Sequence, residues 1–381
     1  MKSAAIALTG CFTLIAVMGM GRFSLTPQLP VMINEGSLTL FSAGLLASMN
    51  YVGYLLGSIY VIGLRKRLAL HLHVGLWATA AVTFFSFLSA SLWFQCVCRF
   101  IAGVGGAWAL IIVTAWTQAQ LAQRNSPRLS AAVFSGPGAG IALTGLLAWL
   151  LAAHHASAAQ SWQVYGGVAL LIALLFIPLL PKSLADKAES QEDAQSAAAT
   201  PRTLLVAYTL AGFGYIIPVT FLSQLAHTLL PGSALSALFW PLFGLAAIAG
   251  VLMVIFFGMR VSSTRALAFA LGLQGMGVAS VIIWQNELGL ITATLLTGGC
   301  FLAIMQLTMR RGRELHQGQV SRMVGVLTTG YASGQLAGPL VSALSVSLFH
   351  SLMPALAIAV GGLLFAAATI LYSRRAVLAA E

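Results

Sequence analysis

Two guanidinium groups occur where the sequence is otherwise suited to hydrocarbon: Arg22 within "GMGRFSLTPQLP" (residues 19–30) and Arg99 within "CRFIAGVGG" (residues 98–106). Neither has a carboxylate in its own apolar run. The eight acidic residues, Glu35, Asp186, Glu189, Glu192, Asp193, Glu287, Glu314 and Glu381, all fall between or beyond such runs. Burying an unpaired guanidinium in a bilayer costs on the order of 3 kcal/mol on insertion scales. Helix-end carbonyls, water in a cavity or an anionic substrate could each offset that. Pro27 and Pro30 favour the first two, because each lacks an amide hydrogen and frees the carbonyl four residues back, those of Phe23 and Thr26. The alternative is that both arginines, about six residues or roughly 9 Å from the end of their run, extend to the headgroups instead.

Other polar side chains recur at helical spacing. Asn50, Tyr54 and Ser58 share one face at i, i+4, i+8, and Tyr331 and Gln335 share another. Thr26 stands one turn from Arg22 and Gln95 one turn from Arg99. Tyr215, Trp240 and Gln306 are the matching candidates later in the chain. Each could line a central cavity and contact substrate, or simply make an interhelical hydrogen bond that packs a bundle. Gly136 and Gly140, and Gly330, Gly334 and Gly338, repeat every fourth position and read as close-packing or hinge residues, with Pro137 and Pro339 beside them. No nucleophile, base and metal set has usable spacing, so an enzyme is not expected. His71 and His73 are two apart and cannot share a helical face, and His154 and His155 fall in a loop. Cys11, Cys96, Cys98 and Cys300 form no C-x-x-C pair, so neither metal nor cofactor is expected.

The elements that must hold these residues are membrane helices. Of 381 residues, 59% are hydrophobic and 7% charged, with a mean hydropathy of +0.93, too apolar for a soluble chain of this length. A ruler of about 20 apolar residues predicts twelve spans: 4–33, 39–64, 69–91, 93–119, 128–152, 162–181, 203–229, 235–259, 265–284, 288–309, 321–348 and 352–373. The first begins with a basic residue, like a secretory signal, but its length reads as an uncleaved span. The polar stretch 182–202 divides residues 1–181 from 203–381 as a connector between two six-helix halves. Apart from Arg22 and Arg99, every one of the 19 lysines and arginines falls in a loop or terminus on one side. That bias assigns both termini to the cytoplasm of a bacterial inner (plasma) membrane. The formal charge of +11 is thus a topology signal rather than a nucleic-acid footprint, and no nucleic-acid partner is expected.

The halves echo each other. "GMG" (19–21) before Pro27 matches "GFG" (212–214) before Pro218; "GLRKR" (63–67) matches "GMR" (258–260); "SGPGAG" (135–140) matches "AGPLVS" (337–342). Each offset is close to half the chain, as in transporters built from parallel six-helix repeats.

Twelve spans, a connector after the sixth, basic loops after the second and eighth, and "CRFIAGVGG" together resemble the major facilitator superfamily over essentially the whole chain. Within it, "GMGRFSLTPQLPVM" with "LLASMNYVGYLLGS" (45–58) is similar to the YbfB/YjiJ-like branch. The resemblance implies an all-α integral membrane fold with a pseudo-two-fold repeat, and helices carrying Arg22 and Arg99 that line the central cavity. It also implies that spans six and twelve face lipid, and that the polar faces of spans one, two, four, seven, eight, ten and eleven converge. The superfamily's acidic position in the loop after helix two is Val61 here, so an ion-pair latch built on it is missing. Gly136, Pro137 and Gly140 match part of a fifth-helix pattern associated with antiporters, with Ala132 and Ile141 departing from it.

The expected function is therefore secondary transport, by alternating access, of a small organic solute, anionic or amphipathic, with Arg22 in the central cavity, by a monomer in the lipid bilayer. A proton-coupled multidrug or metabolite efflux antiporter is the nearest alternative. A non-transporting sensor or scaffold is the alternative of a different class.

Overall fold

The computed structural model describes residues 2–184, 202–257, 260–315 and 320–378. The described residues contain helices and no strands, and twelve helices are long and apolar enough to cross a membrane: α1 (Ser3–Asn34), α2 (Leu40–Val61), α3 (Leu68–Leu88), α4 (Leu92–Ala122), α5 (Arg128–Ala153), α6 (Ala158–Leu179), α7 (Arg202–Leu229), α8 (Leu235–Phe256), α9 (Ser263–Ile283), α10 (Glu287–Leu315), α11 (Val326–Phe349) and α12 (Met353–Tyr372). Hydropathy predicts all twelve. The largest discrepancy in their limits is at α10, which runs to Leu315 rather than 309. Its charged last turns are good helix formers, and Arg310 pairs with Glu314 one turn on at 2.9 Å. Most of the 182–202 connector, and the Gly258 and Met259 of "GMR", lie outside the described residues.

Local chemistry sets the helix ends. Thr39 and Ser42 form a reciprocal capping box at the start of α2, and Ser157 and Gln160 do so at α6. α3 ends earlier than the expected 91, passing through a 3-10 turn at Ser86–Leu88 before a serine-rich loop. α5 is broken at Val133–Phe134 and restarts at Ser135. Pro137 then falls in the first turn of the new helix, where its missing N–H has no carbonyl to leave unpaired. α1 departs most from regularity: Ile15–Phe23, a stretch that contains Gly19, Gly21 and Arg22, is a π-helix between two α-helical segments.

Packing repeats between the first six helices and the last six. α2 packs on α4 as α8 packs on α10; α3 on α4 as α9 on α10; α3 on α6 as α9 on α12; α1 on α5 as α7 on α11. Contacts between the two sets follow the same exchange, α2 with α11 and α5 with α8, with α1 against α7 between them. Burial ranks the helices accordingly. The most apolar windows of α1 and α7 are 72% and 78% buried, whereas those of α6 and α12 are 33% buried. Leu171, Leu174 and Leu175 on α6, and Ile358 and Phe365 on α12, point outward, as expected of lipid-facing helices.

The α1–α5 and α7–α11 crossings are where the repeated glycines fall. A Cβ on Gly19 would meet the Gly140 Cα at 2.5 Å, and one on Gly136 would meet the Cys11 carbonyl oxygen at 2.8 Å. In the other half, a Cβ on Gly334 would run into the Thr209 carbonyl, and one on Gly338 into Ile216. Both helix pairs approach backbone to backbone, the small-residue packing of membrane bundles.

Candidate functional site

Consecutive spans alternate direction, so the basic loops gather at one end of the bundle and the loops without lysine or arginine at the other. The two halves meet toward the charge-poor end. The Thr26 hydroxyl on α1 donates to the Val219 carbonyl on α7 at 3.1 Å, and the Tyr51 and Thr220 hydroxyls lie 3.4 Å apart. The Trp240 indole N–H on α8 donates to the Thr144 hydroxyl on α5 at 3.1 Å. Gly44 on α2 lies against Pro339 and Ala343 of α11: a Cβ there would be 3.1 Å from the Pro339 carbonyl oxygen and the Ala343 Cβ.

Arg22 sits at this junction, 7% exposed, so its head does not reach a headgroup region. Its guanidinium carbon lies over the Tyr54 ring at 4.5 Å, the Tyr51 ring at 4.7 Å and the Phe23 ring at 5.5 Å. Ring faces stabilise the charge but are weak acceptors for its N–H groups. Nε and Nη2 are both buried without a hydrogen-bond partner. The π-helical turn makes this possible, since a helix wound with i to i+5 bonds rotates the positions that follow, a distortion that recurs at functional sites. The turn closes with the Ser24 amide donating to Gly19 at 3.0 Å.

From this arginine an unbroken cluster of rings runs into the second half. Phe23 lies 6.3 Å from Trp240 and 6.1 Å from Phe301; Phe301 stacks on Tyr215 at 4.6 Å, and Tyr331 lies parallel to Tyr215 at 5.7 Å and stacks on Tyr208 at 4.4 Å. Phe243 joins Trp240 to Phe301. The Gln335 amide donates to the Tyr215 hydroxyl at 2.5 Å, leaving its own Oε1 buried and unpaired. The structure thus brings together Arg22, Tyr54, Tyr215, Trp240, Tyr331 and Gln335, with Thr26 bonded in the same contact between halves. The rings pack on one another, with centroids 4.4 to 6.3 Å apart. A small apolar recess of about 10 Å³, the scale of a single water, lies behind them in the second half, sharing Val219 and Phe243 with this region and lined further by Pro218, Leu222 and Thr297.

Arg99 is not part of this cluster. It is fully buried, with Nη1 donating to the Gly21 carbonyl at 2.9 Å, Nη2 to the Ser86 hydroxyl at 3.0 Å, and its carbon 4.5 Å over the Trp162 ring. It clamps α1, α3, α4 and α6 within one half. Asn50 belongs to the same clamp, donating to the Arg99 carbonyl at 3.0 Å. Gln95 donates to the Ser86 and Ser89 carbonyls, which the 3-10 turn at the end of α3 leaves free. The face Asn50–Tyr54–Ser58 is therefore divided: Ser58 bonds back to the Tyr54 carbonyl at 2.7 Å, and only Tyr54 meets Arg22. Gln306 is half-buried on α10 with Oε1 unpaired, and no hydrogen bond or ring contact among the described residues joins it to the cluster.

Sequence periodicity alone misses Tyr51, Tyr208, Phe243 and Phe301. Tyr51 was legible as the i−3 neighbour of Tyr54; the others look like ordinary apolar positions of a membrane helix. Pro30 lies inside the last α-helical segment of α1 and Pro27 in its first turn; Pro339 lies within α11. No group of three metal-binding side chains occurs among the described residues. His71 bonds Tyr60 at 3.2 Å, and His73 bonds the Pro181 carbonyl.

Twelve apolar helices, packed as two interleaved six-helix sets with the central helices carrying the polar and aromatic groups, define a transporter of the major facilitator fold. The chain belongs to the family described as uncharacterised MFS-type transporter YbfB, which it matches over residues 14–371. Among solved structures, a point mutant of the nucleoside transporter NupG aligns with a TM-score of 0.75 at 12% identity, covering 97% of this chain and 99% of that one. NupG itself aligns with a TM-score of 0.73 at 12% identity, over 98% and 99%. Similarity at that identity concerns the fold. No individually curated protein matches the sequence.

Proposed function

We propose that this transporter moves a small organic solute, anionic or amphipathic, by alternating access, with Arg22 as its anchor at the junction of the halves. The observation that carries the reading is a buried guanidinium with two N–H-bearing atoms unpaired and no carboxylate beside it. Such a group is sustained where a ligand or water visits it. Arg99, whose Nη1 and Nη2 donate within the fold although its Nε has no partner, serves as a structural clamp. With the basic loops in the cytoplasm, as in a bacterial inner membrane, the contacts of Thr26, Tyr51 and Trp240 close the outer side.

A proton-coupled antiporter is the weaker reading. The described carboxylates, Glu35, Glu287 and Glu314, stand at helix ends, and Gly136 and Gly140 are occupied in packing α5 on α1. The decisive experiment starts with a thermal-shift screen of metabolites and antibiotics, whose positives enter a proteoliposome uptake assay with wild type, Arg22→Ala and Arg22→Lys. Loss of uptake in Arg22→Ala supports the anchor; full uptake by both variants removes it.

A further inference from the structure

Resting on the assignment of Arg22 as anchor, we infer that the cargo is a monocarboxylate carried on a flat aromatic body. The two unpaired atoms of Arg22 are Nε and Nη2. These form one edge of the guanidinium, and their hydrogens point in parallel, the pair that takes both oxygens of a carboxylate side-on. Tyr51, Tyr54 and Phe23 surround the group with ring faces, and the Tyr54 hydroxyl also interacts with it, but Nε and Nη2 have no acceptor and no carboxylate completes that edge.

Charge counting selects the valence. Arg22 and Arg99 are the lysines and arginines in the apolar interior of the spans, and both terminal nitrogens and the face of Arg99 are engaged by Gly21, Ser86 and Trp162. One free cation is neutralised by one negative charge. A dianion such as a phosphate monoester would carry surplus charge into a low-dielectric site, where it is strongly disfavoured.

The body follows from the rings that run from beside Arg22 into the other half. Phe23, Trp240, Phe301 and Tyr215 form a continuous ring surface with centroids 4.6 to 6.3 Å apart. These spacings suit stacked and edge-on aromatic pairs. A flat ring entering the cluster exchanges one set of ring contacts for another, whereas a puckered aliphatic body breaks ring contacts without replacing them.

The test is equilibrium binding to the purified full-length protein in detergent, read by thermal shift and by calorimetry. The probes are phenylacetate, phenylacetamide, cyclohexylacetate and phenylphosphonate. Phenylacetate is expected to bind about tenfold or more tightly than the amide, which lacks the charge. It is likewise expected to bind several-fold more tightly than cyclohexylacetate or the phosphonate. Arg22→Gln is expected to abolish the preference for acid over amide. Where that variant does not elute as a single species, Arg22→Lys carries the test, since it keeps the charge, loses the fork and should weaken phenylacetate about tenfold. Equal binding of cyclohexylacetate and phenylacetate overturns the aromatic body and leaves the anionic anchor intact. Tighter binding of the phosphonate overturns the valence. Equal binding of acid and amide, or phenylacetate binding unchanged by Arg22→Gln and Arg22→Lys, overturns the anchor as well. Failure of phenylacetate to bind wild type overturns this inference, while the uptake assay judges the anchor separately.

Discussion

Arg22 and Arg99 are the same side chain in the same half of the molecule, and they have opposite surroundings. Arg99 is locked by a carbonyl, a hydroxyl and an indole face, supplied by α1, α3 and α6. Arg22 meets ring faces and leaves the fork edge of its guanidinium unpaired. Arg99 keeps one unpaired nitrogen, Nε, but both of its terminal nitrogens are bonded within the fold, and a charge held in that way stabilises one arrangement of helices. A charge left incomplete at the seam between halves favours, on the proposed mechanism, whichever ligand completes it. The difference teaches that a buried cation in a membrane helix is assigned by what its N–H groups lack.

The comparison is broken most directly by exchanging effects on activity and on stability. Arg22→Ala should reduce uptake by about 100-fold, the scale of losing a charge-assisted bidentate pair, with a melting temperature equal to or above wild type, because an unpaired buried charge is removed. Arg99→Ala should do the reverse, destabilising the fold by about 3 kcal/mol and lowering both melting temperature and the yield of monodisperse protein. A stable Arg99→Ala and an unfolded Arg22→Ala would invert the assignment. Gly103→Ala places a Cβ against the Asn50 carbonyl and 2.8 Å from the Tyr54 amide. It should cost about 2 kcal/mol and lower uptake as well, since the two residues it displaces belong one to each arginine's surroundings. Thr144→Val removes the acceptor of the Trp240 indole and should weaken the outer closure by about 1 kcal/mol, detected as faster labelling of a cysteine placed in the α7–α8 loop.

Much of the scaffold was legible in the sequence. All twelve spans follow from hydropathy, and the lipid exposure of α6 and α12 was implied by the family resemblance together with their lack of polar side chains. The end of α10 was not legible, because a hydropathy ruler stops at Arg310 while the helix continues through charged residues. The π-helix around Arg22 was signalled only indirectly, by Gly19, Gly21, Pro27 and Pro30, since backbone winding depends on packing as much as on composition. The site itself was half legible. Arg22, Tyr54, Tyr215, Trp240, Tyr331 and Gln335 stood out as polar or amphipathic side chains in apolar helices. Phe301 and Phe243 did not, because a phenylalanine facing the seam and one facing lipid are identical in a sequence. Arg99 and Asn50 stood out equally well, yet they form a structural clamp.

The sequence by itself determined the number of crossings, the end that gathers the basic loops, and the presence of two guanidiniums with no acid in their helices. Those are sums over local residues, and the transfer of each side chain into lipid is nearly independent of its distant neighbours. The tertiary structure alone decided which guanidinium has its terminal nitrogens bonded within the fold. The carbonyl that holds Arg99 belongs to Gly21, 78 positions away, and the bond that seals α1 to α7 joins Thr26 to Val219 across 193. Hydrogen-bond satisfaction depends on angstrom-scale placement of groups from different helices, which no local sum contains.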